Sequence, residues 1–413
     1  MSGENNRHSR IHELEGLRGM AAVAILAYHV AEILQPVAKP FPWLVFVFVY
    51  VGGISVIVFF ILSGFVIGYI HQEPWNGTNV AKYLLRRLVR LYPIYVVALV
   101  LSFLVARQSL LSWQFVGHLM FLQGAVVPII PTNGPLWSLH FEAVYYLLFL
   151  VVWRFPKSLK WLACLSAIAV AASIWNNFIL IRVLALFNFW LFGCWLAKTG
   201  TPNPVVAVGR ERFWLALFCF CACSAAGGWW GVAKRLGGFD GLELGWVASG
   251  PLIADVFLSV KQRRIVPWLA WPAYVASILL TCLGLAYGVW SGKFTREPFY
   301  AVGALFLLLA VLAAARRWPG PPPSFWSAIS SLGAISYALY VIHLPILRAL
   351  TASAGTTMTL VGGTLLAVAL VFLFAWVLER RFQPWISNFL KPRLALGRRP
   401  TASVAAGQEK KLP

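Results

Sequence analysis

Charged residues are scarce in this sequence. Only 11% of its 413 residues are charged, and 13 of them are acidic. An average soluble domain is about 25% charged. Because a folded soluble protein of this length needs a largely polar surface, 34 basic and 13 acidic side chains are too few to cover one. A hydrophobic content of 60% also excludes a disordered chain, which would have low hydrophobicity.

Cysteine is also scarce, and all six cysteines lie in apolar stretches. Thiols in such positions predict packing rather than disulfide bonds. Cys219, Cys221 and Cys223 have a spacing that could suggest a metal site. At about 100° per residue of helix, however, Cys221 points away from the other two. We therefore expect no metal in this protein.

Long apolar runs are abundant instead. A membrane-spanning helix needs about 20 mostly apolar residues. Candidate runs lie at 17–34, 44–70, 91–106, 136–153, 160–176, 182–198, 213–232, 242–259, 268–290, 299–315, 327–349 and 358–378. The runs at 91–106 and 242–259 have the weakest pattern, and 111–131 is either re-entrant or interfacial. The predicted fold is all-α, a polytopic transmembrane helical bundle with ten to twelve spans.

The formal net charge of +21 indicates membrane topology rather than binding of nucleic acid. If the N-terminus is cytoplasmic and each run crosses once, 26 of the 34 Lys and Arg residues lie on the cytoplasmic side and 8 outside. We therefore predict a multi-pass protein of the cell inner membrane, in contact with the lipid bilayer, with both termini in the cytoplasm. No small-residue cleavage site follows the first run, so we expect this helix to be retained. The sequence indicates no oligomeric state.

Ionisable residues inside the apolar runs indicate function. Arg18 and His29 are 11 residues apart, so they share one helix face at a separation of about 16 Å along the axis. Glu142 enters the fourth run at a depth similar to that of His29, which predicts a carboxylate–imidazole pair for general-base chemistry. The alternatives are a snorkelling anchor for Arg18, a helix–helix hydrogen bond for His29 and a structural ion pair for Glu142. His140 is a weaker candidate.

A basic ridge lies just inside the cytoplasmic face. Arg86, Arg87 and Arg90 are spaced three and four residues apart, so they project from one side of a helix. Guanidinium groups clustered in this way suit phosphate, although lipid headgroups would be bound by the same spacing. Ser63, in the small-residue part of the second run, is expected at the same inner side.

A second polar group lies late in the chain, where Ser336, Tyr337, Tyr340 and His343 fall within one apolar run. His343 is expected near the outer end of its span. Such a group can orient a substrate or a partner helix, and the spacing alone does not distinguish the two roles.

Five motifs in this order resemble the integral-membrane acyltransferase family 3, the bacterial O-acyltransferases that modify cell-surface sugars. They are LEGLRGMAA followed by a histidine, FFILSGF, RRLVRLYP, WSLHFE and SYALYVIHLP. One departure is Ile57, which stands where members often carry an acidic residue. The predicted span count also exceeds the usual ten-helix core by up to two.

The resemblance implies transfer of an acyl group, usually acetyl, from acyl-coenzyme A to a carbohydrate hydroxyl. It implies a membrane acyltransferase domain at 1–390, followed by a basic tail at 391–413 that we expect to be disordered. His29 and Glu142 would be catalytic, with His29 as the general base, and no metal is needed. The donor-binding residues would be Arg18, Ser63, Arg86, Arg87 and Arg90. The substrate-binding residues would be Trp137, Ser138, Tyr337 and His343.

Three alternatives stay open at this point. The chain could be a polytopic transporter or exporter of a sugar or lipid, since carriers also bury polar groups in the membrane. The same chemistry could act on a small glycosylated metabolite instead of a surface or lipid-linked carbohydrate. The acyl group could move directly or through an acyl-histidine intermediate.

Overall fold

The structure is a computed structural model that describes residues 2–37, 42–71, 73–172, 178–198 and 323–393. Its α-helices are α1 (Ser2–Ile33), α2 (Pro42–Ile70), α3 (Gly77–Val105), α4 (Trp113–Leu119), α5 (Trp137–Arg154), α6 (Ser158–Ala172), α7 (Ile179–Lys198), α8 (Pro323–Gly333), α9 (Ser336–Thr351), α10 (Thr357–Val377) and α11 (Gln383–Arg393). A 3₁₀ turn at Pro131–Leu136 precedes α5, and a π-helical turn at Leu378–Phe382 joins α10 to α11.

The predicted all-helical architecture is confirmed in the described ranges. Four stretches there are long and apolar enough to cross a bilayer, and they are Leu14–Ile33, Gly77–Val105, Pro131–Arg154 and Thr357–Leu390. The pair α8 and α9, bent by 60°, adds a fifth if it crosses as one unit. The number of spans and the side of the termini stay predictions. The runs at 213–232, 242–259, 268–290 and 299–315, with Cys219, Cys221, Cys223 and Cys282, lie outside the described residues.

The third predicted run is part of a longer helix. Residues 91–106 were expected to span on their own, but the structure extends this helix back to Gly77, for a length of 29 residues. It begins there because the Asn76 side chain accepts a hydrogen bond from the Asn79 backbone N–H, which caps the first turn. The basic ridge therefore belongs to the same rigid element as the apolar run.

Residues 111–131 do not span. Their helix, α4, has seven residues, which is too short to cross a bilayer. Arg107 and Phe121 flank it with positive φ angles of 55° and 57°, which end regular helix on both sides. This segment connects α3 to the turn before α5.

Small residues bring helices into backbone contact. A Cβ added to Gly64 in α2 would lie 2.0 Å from the Trp190 carbonyl oxygen, and one added to Gly193 in α7 would lie 2.0 Å from the Ile61 carbonyl oxygen. Only glycine permits this approach, which is how helices associate where no hydrophobic effect drives them together. Cys194 is buried in the same interface with its Sγ against Gly68, as predicted for a packing thiol.

Pro93 leaves a carbonyl without its helical partner in the middle of α3. Proline has no N–H, so the carbonyl four residues earlier, at Val89, loses its hydrogen bond. The Gln383 side chain of α11 donates to that oxygen at 2.7 Å. Satisfying a freed carbonyl matters most inside a membrane, where water cannot replace the bond. This contact ties the C-terminal segment to α3.

Pro345 does the same in α9. It frees the Val341 carbonyl, and the Asn133 side chain donates to this oxygen at 2.8 Å. Asn133 also donates to the Ser102 hydroxyl at 2.9 Å. The turn before α5 is thereby attached to α3 and to α9, the helix that carries His343.

Candidate active site

Helices α1, α2, α3, α5 and α9 enclose a pocket. Its free space is about 830 Å³ with the open mouth included. Much of its lining is apolar. The residues predicted from sequence that line it are Arg18, Ser63, Arg87, Arg90, Ser138, Glu142 and Tyr337. Tyr146 and Tyr340 complete its polar lining.

Glu142 is held in a fixed orientation within this pocket. Its Oε1 accepts hydrogen bonds from the Ser63 hydroxyl at 3.0 Å and from the Tyr146 hydroxyl at 2.5 Å. Tyr146 lies one helical turn beyond Glu142 in α5, so this contact is local. The Trp190 ring N–H donates to Ser63 at 3.3 Å and fixes that hydroxyl in turn.

Glu142 faces the arginines, and the pair predicted between Glu142 and His29 is wrong. The partner of His29 is Glu32, whose Oε2 lies 2.9 Å from His29 Nδ1. Similar depth in the membrane does not make two residues on different helices neighbours. A carboxylate three residues away on the same helix needs no tertiary packing to reach the ring. The i,i+3 spacing of His29 and Glu32 was the sequence signal for this pair.

His29 and His343 lie side by side, with their ring centroids 5.0 Å apart. His343 is fully buried, and its Nδ1 lies 2.7 Å from the Tyr340 carbonyl oxygen. A carbonyl only accepts, so Nδ1 carries the hydrogen and Nε2 has a lone pair. That Nε2 is buried with no partner among the described residues. The same reasoning places the hydrogen of His29 on Nδ1, towards the Glu32 carboxylate.

Tyr340 adjoins both the pocket and His343 of the histidine pair. Its ring lines the pocket, 5.5 Å from Phe59, and its other neighbour is His343 at 6.2 Å. Its hydroxyl is 2.7 Å from the Ser138 hydroxyl and donates to the Pro135 carbonyl at 2.9 Å. Ser138, predicted to bind substrate, therefore lies at the boundary between the two groups.

Two other aromatic candidates lie outside the pocket lining. Trp137 packs in an apolar wall with Phe60 and Phe141, at ring distances of 6.3 and 5.0 Å. The weaker candidate His140 has its Nδ1 bonded to the backbone carbonyl of Phe121.

Arg90 is compensated by a carboxylate that the sequence analysis missed. Glu379, in the π-helical turn, accepts two hydrogen bonds from the Arg90 guanidinium at 2.6 and 3.1 Å. The Arg90 guanidinium also lies 5.6 Å from the centre of the Tyr337 ring. The only sequence signal for Glu379 was an acidic residue at the end of a long apolar run, which is costly unless paired.

Arg87 has a neutral partner. Its Nη2 lies 3.3 Å from His71 Nε2, and its guanidinium lies 5.8 Å from the ring centre of Tyr83 and 5.9 Å from that of Tyr146. Arg86 does not line the pocket, and its side chain is exposed. Successive residues of a helix point about 100° apart, so Arg86 and Arg87 face different directions. The predicted ridge therefore divides, with Arg87 and Arg90 in the pocket lining and Arg86 on the exposed side of the helix, and the binding role of Arg86 stays a prediction.

The third pocket arginine, Arg18, makes no side-chain hydrogen bond to a described residue. It is close enough to Arg90 and Glu142 for their charges to act on it. With Arg87 and Arg90, it brings three guanidinium groups to the pocket, against Glu142 in the lining and Glu379 behind Arg90. The pocket is therefore net positive. Among the described residues, no cluster of three His, Cys, Asp or Glu could hold a metal ion.

Comparison with known proteins gives the family. A family model described as an acyltransferase domain matches residues 11–380. The acyltransferase MdmB of Streptomyces mycarofaciens is 29% identical over 212 residues, an alignment covering 45% of this chain and 53% of that protein. The chain thus spans about half the length of this relative. No solved structure matches. Because the family model covers nearly the whole chain and agrees with its motifs, the chain belongs to the integral-membrane acyltransferase family 3.

Proposed function

We propose that this acyltransferase is an O-acyltransferase of the cell inner membrane. It moves an acetyl group from acetyl-coenzyme A to a hydroxyl of a surface or lipid-linked carbohydrate. The observation that carries this proposal is the contact between His29 Nδ1 and the Glu32 carboxylate. It leaves His29 Nε2 with a lone pair. This nitrogen makes no hydrogen bond to a described residue, and its ring lies next to a second histidine.

The chemistry needs one base. His29 Nε2 takes the proton of the carbohydrate hydroxyl while the hydroxyl oxygen attacks the thioester carbonyl carbon. The carbon–sulfur bond then breaks, and the coenzyme A thiolate takes the proton from the imidazolium. Glu32 stabilises that imidazolium through Nδ1–H. A positioned general base contributes about 10²–10⁴-fold to the rate.

The arginine side of the pocket suits the donor. Coenzyme A carries phosphates, and guanidinium groups bind phosphate through paired N–H donors. Arg87 is the strongest candidate because its described partner is neutral. Glu142 takes a different role from the one predicted, since it lines the pocket with the arginines, whereas the partner of His29 is Glu32. Tyr337, predicted to bind substrate, lies beside Arg90 on the donor side.

The acceptor is expected on the histidine side, where Ser138 and Tyr340 lie together with the His343 Nε2, which has no partner in the described part of the chain. Hydroxyl and imidazole groups recognise sugar hydroxyls by exchanging hydrogen bonds with them. Trp137 is not in the pocket lining, and we assign it to the wall behind the site.

Membranes containing the protein, incubated with labelled acetyl-coenzyme A, test the proposal. Label should appear in a carbohydrate or glycolipid fraction. Arg87→Ala should raise the KM for acetyl-coenzyme A, while Lys82→Ala, on the same helix but outside the pocket, should not. Movement of a sugar or lipid across the membrane without label transfer would support the carrier instead. Label in a small glycosylated metabolite would support the same chemistry with a different acceptor.

A further inference from the structure

His71 is a buried histidine that no sequence motif singled out. It directly follows α2 and is 6% exposed. Its ring packs against Tyr83 at 4.9 Å, Trp153 at 5.6 Å and Phe149 at 6.2 Å. Within the described ranges, its imidazole has a polar contact with Arg87. A histidine enclosed by aromatic rings and aimed at a pocket arginine calls for an explanation beyond packing.

The roles in the contact follow from the chemistry of the two side chains. A guanidinium has donors and no acceptor, so Arg87 Nη2 donates and His71 Nε2 accepts. The acceptor exists only in the neutral imidazole with its hydrogen on Nδ1. Burial, together with the positive charges of Arg87 and Arg86, lowers the pKa of His71 to about 4, so the ring is neutral at physiological pH.

The neutral partner distinguishes Arg87 from the other pocket arginines. The charge of Arg90 is offset by Glu379, and Arg18 is close enough to Arg90, Glu142 and Glu379 for all three charges to act on it. His71 orients Arg87 without cancelling its charge. The Arg87 Nε is buried with no partner among the described residues, so His71 supplies the one hydrogen bond recorded there for this guanidinium.

We propose that His71 is a positioning residue for the donor, holding the Arg87 guanidinium where it meets a phosphate of acyl-coenzyme A. This inference rests on the proposed function, because it needs Arg87 to bind the donor. His71 itself touches neither the acyl group nor the acceptor. Its loss should therefore weaken donor binding and leave the chemical step unchanged.

Paired substitutions at position 71 test this role. His71→Phe keeps an aromatic ring among Tyr83 and Trp153 but removes the acceptor, and we expect the KM for acetyl-coenzyme A to rise about tenfold, with kcat within twofold. His71→Gln places an amide oxygen near the former Nε2 and should restore the KM. His71→Asn is equally polar but too short to reach Arg87, so it should behave like His71→Phe. The Gln and Asn pair decides the question even if the Phe variant folds poorly.

A double substitution separates positioning from general damage. In an Arg87→Ala background, His71→Phe should raise the KM no further, because the contact is already lost. His118→Phe is the control. It replaces another buried histidine, in α4, which does not line the pocket, and it should leave the KM unchanged.

Failure of this inference and failure of the proposed function have different signatures. If Arg87→Ala raises the KM and His71→Phe and His71→Asn do not, His71 has no positioning role. If Arg87→Ala itself leaves the KM unchanged, the donor site is wrongly placed. Equal effects of His71→Gln and His71→Asn would also overturn the positioning role.

Discussion

The two sides of Tyr340 handle charge in opposite ways. On the pocket side, three guanidinium groups face two carboxylates, and the hydrogen-bond partner of Arg87 among the described residues is neutral His71. On the other side, His29 is matched with a carboxylate, Glu32, on its own helix. An uncompensated cation is suited to binding an anion, whereas a compensated imidazole is suited to taking and returning a proton. Under the proposed function, donor binding belongs to the first side and the chemistry to the second.

Replacing the base should have the largest effect. His29→Gln removes the lone pair that accepts the proton, so kcat should fall by about 10²–10⁴-fold with the KM for acetyl-coenzyme A nearly unchanged. Label transfer in membranes measures both constants. His140→Gln, whose ring contacts a backbone carbonyl outside the pocket, is the control and should keep activity. Normal turnover in the His29 variant would show that His29 is not the general base.

Glu32→Gln should have the next largest effect. The amide can no longer stabilise the imidazolium, so we expect kcat to fall by about a hundredfold without a change in the KM. Glu32→Asp keeps the charge and should recover part of the loss. Glu73→Gln removes an exposed carboxylate elsewhere and serves as the control. An increase in KM with constant kcat would assign Glu32 to binding instead.

Breaking the Arg90 pair should affect stability more than donor binding. Glu379→Gln leaves a partly buried guanidinium without its carboxylate, and we expect a loss of about 2 kcal/mol, seen as a lower Tm in detergent. The KM for acetyl-coenzyme A should not rise, because a positive charge is released toward the pocket. A KM increase as large as that of Arg87→Ala would show that the two arginines do not differ as proposed.

The contact that satisfies the proline-freed carbonyl in α9 should have a smaller effect. Asn133→Leu leaves the Val341 carbonyl unpaired and should cost about 1 kcal/mol. Pro345→Ala restores the missing N–H, so the same substitution in that background should cost less. Thermal unfolding of the wild type, the two single variants and the double variant gives the coupling energy. Additive losses would mean that Asn133 acts through its contact with Ser102 instead.

The smallest effect concerns pH. The folded-state pKa of His71, about 4, lies below its ordinary value of 6.5. As the pH falls, the imidazole of the unfolded chain is therefore protonated before that of the folded protein. Its contribution to stability is complete above about pH 6.5 and declines as the pH falls toward 4. Arg86, Arg87 and Tyr83 are the charged or titratable groups around the ring.

His71→Gln removes the titrating imidazole. The Tm of the wild type should therefore fall more steeply than that of the variant between pH 6.5 and 4. The KM for acetyl-coenzyme A should rise over the same interval in the wild type only. Parallel Tm curves would contradict the shifted titration.

Local contacts were predictable from spacing. The pairing of Glu142 with Tyr146 and of His29 with Glu32 joins residues one turn apart, where a helix places side chains side by side. His29 and Glu142 lie in helices, as predicted, but they were expected to contact each other and do not. Depth along two helices was known, whereas their lateral arrangement was not.

Distant contacts had no such signal. His71 was overlooked because its importance comes from Arg87 and from aromatic residues on α3 and α5 that the sequence does not place around it. Arg86 was included with Arg87 because adjacent residues share a charge pattern although they face different directions.

The apolar runs, the helices within them and the five ordered motifs follow from the sequence, because hydrophobicity and helical spacing are properties of neighbouring residues. The choice of partner between different helices follows from helix packing. Arg90 meets Glu379 across 289 residues and Ser63 meets Glu142 across 79, and no local pattern encodes either contact. Packing thereby places neutral His71 beside Arg87 in the described part of the chain, whereas the contact between His29 and Glu32 lies within one helix.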